Sequence, residues 1–238
     1  MTGRVPSPQQ VVRRATALGT ARPRPDRSSA TKHALVRVAR EKFATQGFVG
    51  TSLDEIVAGA EVTKGALYHH FRGKQDLYAA VVNEVEDGAR ERIRTGVADV
   101  VDPWERALVG LREFLAVVRT EEYRRIVILE GPAVLGYERF REQEESSTFG
   151  LVSDIVAGLL APYDLPASTL TAFTRLFLGA VSATGSSVSL AADPQQASDD
   201  AEGAIVLVLA GIRSLLDSAE HAPSATDLAP GLAQEDRV

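Results

Sequence analysis

Thr51-Ser-Leu-Asp-Glu-Ile-Val-Ala-Gly-Ala-Glu-Val-Thr-Lys-Gly-Ala-Leu-Tyr-His-His-Phe71 is the stretch whose reading decides the fold. Ser52, with Glu55 three residues on, has the spacing of a capping box, in which hydroxyl and carboxylate satisfy the orphan amides of a helix start. The helix it opens carries Leu53, Ile56, Val57 and Ala60 on one stripe and breaks within about two turns, around Gly59 to Glu61. Val62 plugs the turn, and Thr63 caps a second short helix that holds Leu67 and Phe71. Helices this short are not stable alone and need a third to pack on. Leu35, Val38, Ala39 and Phe43 supply it as an apolar stripe that Gly47 ends. Two short helices around a tight turn, backed by a longer one, form a helix-turn-helix that presents its last helix to DNA.

The second short helix has the chemistry for that task. Its first turn offers free amides and the positive end of the helix dipole to a phosphate. Lys64 stands where it can reach a phosphate or a base edge, and Gly65 has no Cβ to hold the backbone off a groove wall. Tyr68 and His69 fall on the exposed side, and Lys74, opening the next helix, can clamp the backbone from the other flank. Read as metal ligands, His69 and His70 fail: adjacent residues diverge on a helix, and no third ligand accompanies them. With no Cys, thiolate metal sites and disulfides are excluded too. No metal and no cofactor is expected.

Working outward, every further segment reads as helix. Leu77, Val81 and Val85 start a fourth, which continues past Gly88 to Ile93 and Val97. Asp102–Pro103 opens another as N-cap and first helical residue. A short helix follows from Glu121 to Glu130, stopped by Gly131–Pro132. Three long ones then cover about Gly136 to Leu160, Pro166 to Leu190 and Pro194 to Ser218. No strand-like alternation or hairpin signal occurs, so the expected fold is all-α with about nine helices. The expected divisions are a flexible basic arm at 1–27, a tri-helical reading domain at 28–78, a helical body at 79–220 and a flexible tail at 221–238.

The net charge of −6 conceals an asymmetry. Met1 to Tyr78 hold 13 Lys/Arg against 6 Asp/Glu, a balance of +7, whereas Ala79 to Val238 hold 13 against 26, a balance of −13. A basic front on an acidic body binds phosphate locally while the body resists non-specific adhesion. No apolar segment follows Arg13–Arg14 as a signal peptide would require, and the run Ala204 to Ile212 is too short to span a bilayer. A cytoplasmic protein without membrane contact is expected. A Gly-rich phosphate loop, a Gly-x-Ser-x-Gly elbow and a metal-ligand cluster are all missing from the sequence, which argues against an enzyme.

These residues resemble the TetR family of bacterial regulators. The similarity runs from Lys32 to about Val82, roughly a fifth of the chain, through Phe43, Gly47, Thr51, Ile56, the run Val62 to Phe71, Lys74 and Leu77. It implies that Thr51 or Ser52, together with Thr63, Lys64, Gly65, Tyr68, His69 and Lys74, occupies DNA-contacting positions. Two departures stand out: Glu61 where the family most often has Gly, and Val57 where it has Ala. A non-glycine residue in a left-handed turn costs on the order of 1–2 kcal/mol, unless Gly59 lets the turn form differently.

The resemblance further implies a C-terminal domain that dimerises and often binds a small-molecule inducer. Ala204 to Ile212, apolar around the whole helix, must be covered on more than one side, by a symmetry mate or by the core. With the preceding helix it nominates Phe173, Val181, Val206 and Leu209 for a dimer interface. For a small hydrophobic effector the nominated walls are Trp104, Phe114, Tyr123, Ile126, Tyr137, Phe149 and Phe177, with Arg175 and Glu130 as polar anchors or salt-bridge partners. The expected activity is that of a homodimeric repressor, released from a palindromic operator when the effector binds. The alternative is a constitutive or architectural DNA-binding regulator without an inducer.

Overall fold

A computed structural model describes residues 27–218, all helices and connections. The expected basic arm, but for Arg27, and the expected tail lie outside the described residues. The elements are α1 (Arg27–Gly50), α2 (Leu53–Gly59), α3 (Lys64–His70), α4 (Lys74–Gly96), α5 (Pro103–Val118) and α6 (Glu121–Tyr123). The last continues directly as a π-helical turn, π1 (Arg124–Leu129). There follow α7 (Gly131–Leu135), α8 (Tyr137–Leu160), a 3-10 turn (Ala161–Tyr163), α9 (Ala167–Leu190) and α10 (Pro194–Ser218). The fold is all-α, with ten α-helices among the described residues. The count exceeds nine because Pro132, expected only to stop a helix, sits in the first turn of the short α7.

Gly47 breaks α1 as expected: its φ of 74° and ψ of 172° leave helical geometry, and the chain turns there before the last residues of α1. The expected capping box is present, since Ser52 Oγ accepts from the Glu55 amide and the Glu55 carboxylate accepts from the Ser52 amide. Thr63 Oγ1 accepts from the Ala66 amide, and Asp102 caps α5 through the Glu105 amide.

The first core cluster joins Leu35, Val38, Ala39 and Phe43 of α1 to Ile56, Val57, Leu67 and the first half of α4. Burying a side chain such as Ile56 or Leu67 completely contributes about 1.5–3 kcal/mol, which is how two seven-residue helices are held. The same cluster takes in Ile126, Val127, Leu135 and Phe140. The boundary expected at residue 78 therefore does not fall between two cores. Helix α4 crosses it unbroken, and π1, α7 and α8 close the underside of the head. Two further clusters lie in the body: Leu111, Leu115, Val118 and Val188 near its middle, and Val156, Leu159, Leu160 and Leu209 toward its far end.

Candidate nucleic-acid interface

Helix α3 rests on α1 through buried Leu67 and turns its other sides outward. Thr63, Lys64, Gly65, Tyr68 and His69 are all exposed. A shallow groove between α2 and α3 is walled by Ser52, Leu53, Asp54, Val57, Lys64, Leu67 and Tyr68. Across it Lys64 Nζ meets Asp54 Oδ1 at 2.6 Å. The hydrogen bond to Asp54, then its charge, raises the Lys64 pKa. Both partners are solvent-exposed, so the pair contributes little to stability.

The turn takes the strained form. Glu61 has φ of 55°, in the left-handed region where a side chain is disfavoured. Gly59 does not relieve it. It serves packing instead: a Cβ there would lie 2.9 Å from Val38 Cγ1 on α1.

Two nominated contacts are placed differently. Thr51 is buried, with its hydroxyl donating to the Gly47 carbonyl at 2.8 Å, so it fastens the bend in α1 rather than facing a groove. Lys74 is half-buried, its ammonium 4.4 Å from the centre of the Phe48 ring, a cation–π contact. Ser52 is exposed, but its hydroxyl is engaged with Glu55, whose own pKa is lowered chiefly by the bond from the Ser52 amide. The imidazoles of His69 and His70 lie 5.0 Å apart, edge to face.

Sequence reasoning passed over the joints behind the head. Arg40 of α1 donates to both Glu122 carboxylate oxygens at 2.6 and 2.7 Å and also reaches Glu84 of α4. Tyr78 donates its hydroxyl to the Ile126 carbonyl at 2.7 Å, and burial, then the charge of Glu130, pushes its phenol well above the ordinary value. Gln75 donates to the Val134 carbonyl. Arg125 Nη1 donates to the Ala44 and Thr45 carbonyls, and Glu130 Oε2 accepts from the Phe48 amide. Glu130, nominated as an effector anchor, thus binds the head backbone. The charges bracketing the apolar run Ile126 to Leu129 were the available signal.

The body holds a narrow apolar cavity of about 90 Å³ between α4, α5, α8, α9 and α10. Phe114 and Phe177 line it, and so do Val181 and Leu209, which the sequence nominated for dimerisation. Among the described residues, Thr148 is the one lining residue with a polar side chain. The other nominated walls lie elsewhere. Ile126 is sealed into the head core, Tyr123 packs between two clusters, Tyr137 is two-thirds exposed, and Phe149 is half-buried off the cavity wall. Trp104 lies in a separate cleft at the far end, its ring beneath the Arg213 guanidinium at 5.5 Å. Arg175 is exposed, so it anchors nothing inside.

Of the nominated interface residues, Phe173 stacks on Phe177 in the far core and Val206 is half-buried. The outward faces instead carry Ala172, Leu176, Gly179, Ala180 and Ala183 on α9, and Ala204, Leu207, Val208, Gly211 and Leu215 on α10. Both sets recur at intervals of three and four, one stripe per helix.

Comparison with known proteins converges on one kind of molecule. Residues 35–81 match the family model described as bacterial regulatory proteins, tetR family, and residues 104–212 match the tetracyclin repressor-like C-terminal domain. The TetC protein of transposon Tn10 from Escherichia coli is 29% identical over 137 residues, 58% of this chain and 69% of that protein. The transcriptional regulator AcrR of Shigella flexneri is 36% identical over 103 residues, 41% of this chain and 46% of AcrR. A crystal structure of a TetR-family transcriptional regulator from Pectobacterium atrosepticum superimposes with a TM-score of 0.68 at 26% identity, covering 78% of this chain and 95% of the other.

Proposed function

This chain belongs to the TetR family of DNA-binding transcriptional regulators, and on that footing we propose that it is a homodimeric repressor released from a palindromic operator by a small apolar effector. The observation that carries the proposal is α3. Its exposed Thr63, Lys64, Gly65, Tyr68 and His69 stand over a sealed Leu67, a rigid helix with its polar side free for a major groove. Phosphate contacts fall to Lys64, Tyr68 and the α3 amides, and base contacts to the first turn. Ser52 and Lys74 flank this surface as secondary contacts.

The stripes on α9 and α10 support the dimer. Leu176, Leu207, Val208 and Leu215 are all more than half exposed, and the small residues between them allow a second copy of the helix pair to approach closely. Two reading heads about 34–36 Å apart would then enter successive major grooves of one face of the duplex. Selection of bound duplexes from a random pool is the test. It should return an inverted repeat, and Lys64→Ala should bind the selected duplex about tenfold more weakly; a single unrepeated motif, or no motif, would defeat the proposal.

The cavity supports an uncharged effector, since the described residues of its wall provide one hydroxyl and no charge. Small neutral aromatics should raise the Tm by mass action and loosen operator binding. If none in a broad panel does either, the protein is a regulator without an inducer. A repressor acting on the chromosome would work in the cytoplasm. No helix among the described residues is long and apolar enough to cross a membrane.

A further inference from the structure

The bend at residues 44–51 leads from the long helix of the head into the helix-turn-helix, and it is gripped from the body at two points. Arg125 Nη1 donates to the Ala44 carbonyl at 2.9 Å and the Thr45 carbonyl at 2.7 Å, just before the Gly47 break, where helix-end carbonyls carry the partial negative charge that a guanidinium complements. Glu130 Oε2 accepts from the Phe48 amide at 2.7 Å, just beyond the Gly47 break. The fit is close: a Cβ on Gly47 would lie 2.6 Å from Glu130 Oε1.

Both grips depend on π1. In an α-helix, residues five apart point about 140° away from each other around the axis. Here the Glu130 amide donates to the Arg125 carbonyl at 3.1 Å, the i to i+5 bond of a π-helix, which brings the two residues onto one side. The neighbouring Arg124 donates through Nε to the Ser189 carbonyl at 3.0 Å, tying the same turn to α9, whose Phe177 and Val181 wall the cavity.

We propose that Arg125 and Glu130 form a backbone clamp, aligned by the π-helical turn, that sets the pose of the reading head and thereby the half-site spacing the dimer accepts. This rests on the dimeric operator-binding reading above. They are positioning residues, since neither stands on the α3 surface. A positive and a negative group suit the task because they read opposite backbone polarities at one bend, carbonyls before the break and an amide after it.

The test uses the full chain as wild type, Glu130→Ala, Glu130→Gln, Arg125→Ala and Gly47→Ala. Three quantities are read: amide hydrogen exchange, Tm, and affinity for the duplex that wild type selects from a random pool. The affinity is repeated for that duplex with one base pair inserted or removed between half-sites. Glu130→Ala should speed exchange at the Phe48 amide on the order of tenfold while the amides of Leu35 to Phe43 keep their protection. The affinity ratio between selected and altered spacing should fall by a similar factor in Glu130→Ala, Arg125→Ala and Gly47→Ala, and recover largely in Glu130→Gln, which keeps an acceptor.

Faster exchange with an unchanged spacing ratio would overturn the proposal. So would unchanged Phe48 exchange, or protection lost evenly across the chain with a lower Tm. If wild type selects no duplex with two half-sites, the dimeric reading fails and the spacing claim with it, while Phe48 exchange still decides whether the clamp exists.

Discussion

In the head, Leu35, Phe43, Ile56, Leu67, Leu77 and Tyr78 are almost wholly sealed from solvent, while in α9 and α10 Leu176, Leu207, Val208 and Leu215 stand more than half exposed. Similar apolar residues meet opposite fates. The head borrows Ile126, Val127, Leu135 and Phe140 from the following helices and closes its core within one chain. Helices α9 and α10 bury one side on the cavity and the far core, and no described residue covers the other side. The head needs its own body to be whole; the outward stripes of the body are what the proposed second copy would cover.

The largest expected effect breaks this contrast at the uncovered end. Leu207→Asp with Leu215→Asp should turn a dimer into a monomer in sedimentation equilibrium, and lower operator affinity by more than about 100-fold as the second half-site is lost. The helical circular dichroism should persist. Leu209→Asp, two residues away but buried beside the cavity, should instead unfold the body, because an unpaired charge is forced into an apolar wall. Equal behaviour of the two variants would remove the distinction between outer and inner faces.

At the head the effects are smaller. Lys64→Ala should weaken operator binding about tenfold and lower the salt slope by about one, without changing the Tm beyond a degree or so. Tyr78→Phe should cost on the order of 1–2 kcal/mol at neutral pH, since the buried Ile126 carbonyl loses its donor. The same variant should flatten the alkaline limb of stability. Burial raises the Tyr78 pKa above its ordinary 10.0, so the unfolded chain gives up that proton first. The resulting stability is intact below pH about 10 and is lost as pH rises further. Tm measured from pH 8 to 11 should fall more steeply in wild type than in Tyr78→Phe. The smallest effect is a gain: Glu61→Gly should relieve the φ of 55° and raise stability by about 1 kcal/mol, or about 2–4 °C in Tm. A lower Tm would show that the turn is not strained.

The head was legible because short helices need explicit local signals, and these stand in the sequence: Ser52 with Glu55, Thr63 before Ala66, Gly47 at the break. Helix order in the body was legible from Asp102–Pro103 and Pro194, whereas Pro132, read as a stop, hid the short α7 that it opens. The faces of α9 and α10 were not, because a helix apolar all round gives no preferred side. Val181 and Leu209 were nominated for the interface and lie on the cavity; Leu207 and Leu215 lie outside. Thr51 was nominated through the family resemblance, and Lys74 because a lysine opening α4 can clamp a backbone from that flank; their surroundings were not legible. Only the fold shows one hydroxyl turned in to the Gly47 carbonyl and one ammonium laid on Phe48. The Arg125 and Glu130 grips cross more than 80 residues of chain, a distance over which periodicity carries no information.

The most direct measurement is fluorescence anisotropy of the selected operator and a scrambled duplex of equal length, titrated with wild-type protein from low to physiological salt. Specific recognition by α3 predicts that the operator keeps an advantage of about 10³-fold or more while both affinities fall with salt. Equal affinity for the two duplexes at every salt concentration would contradict it.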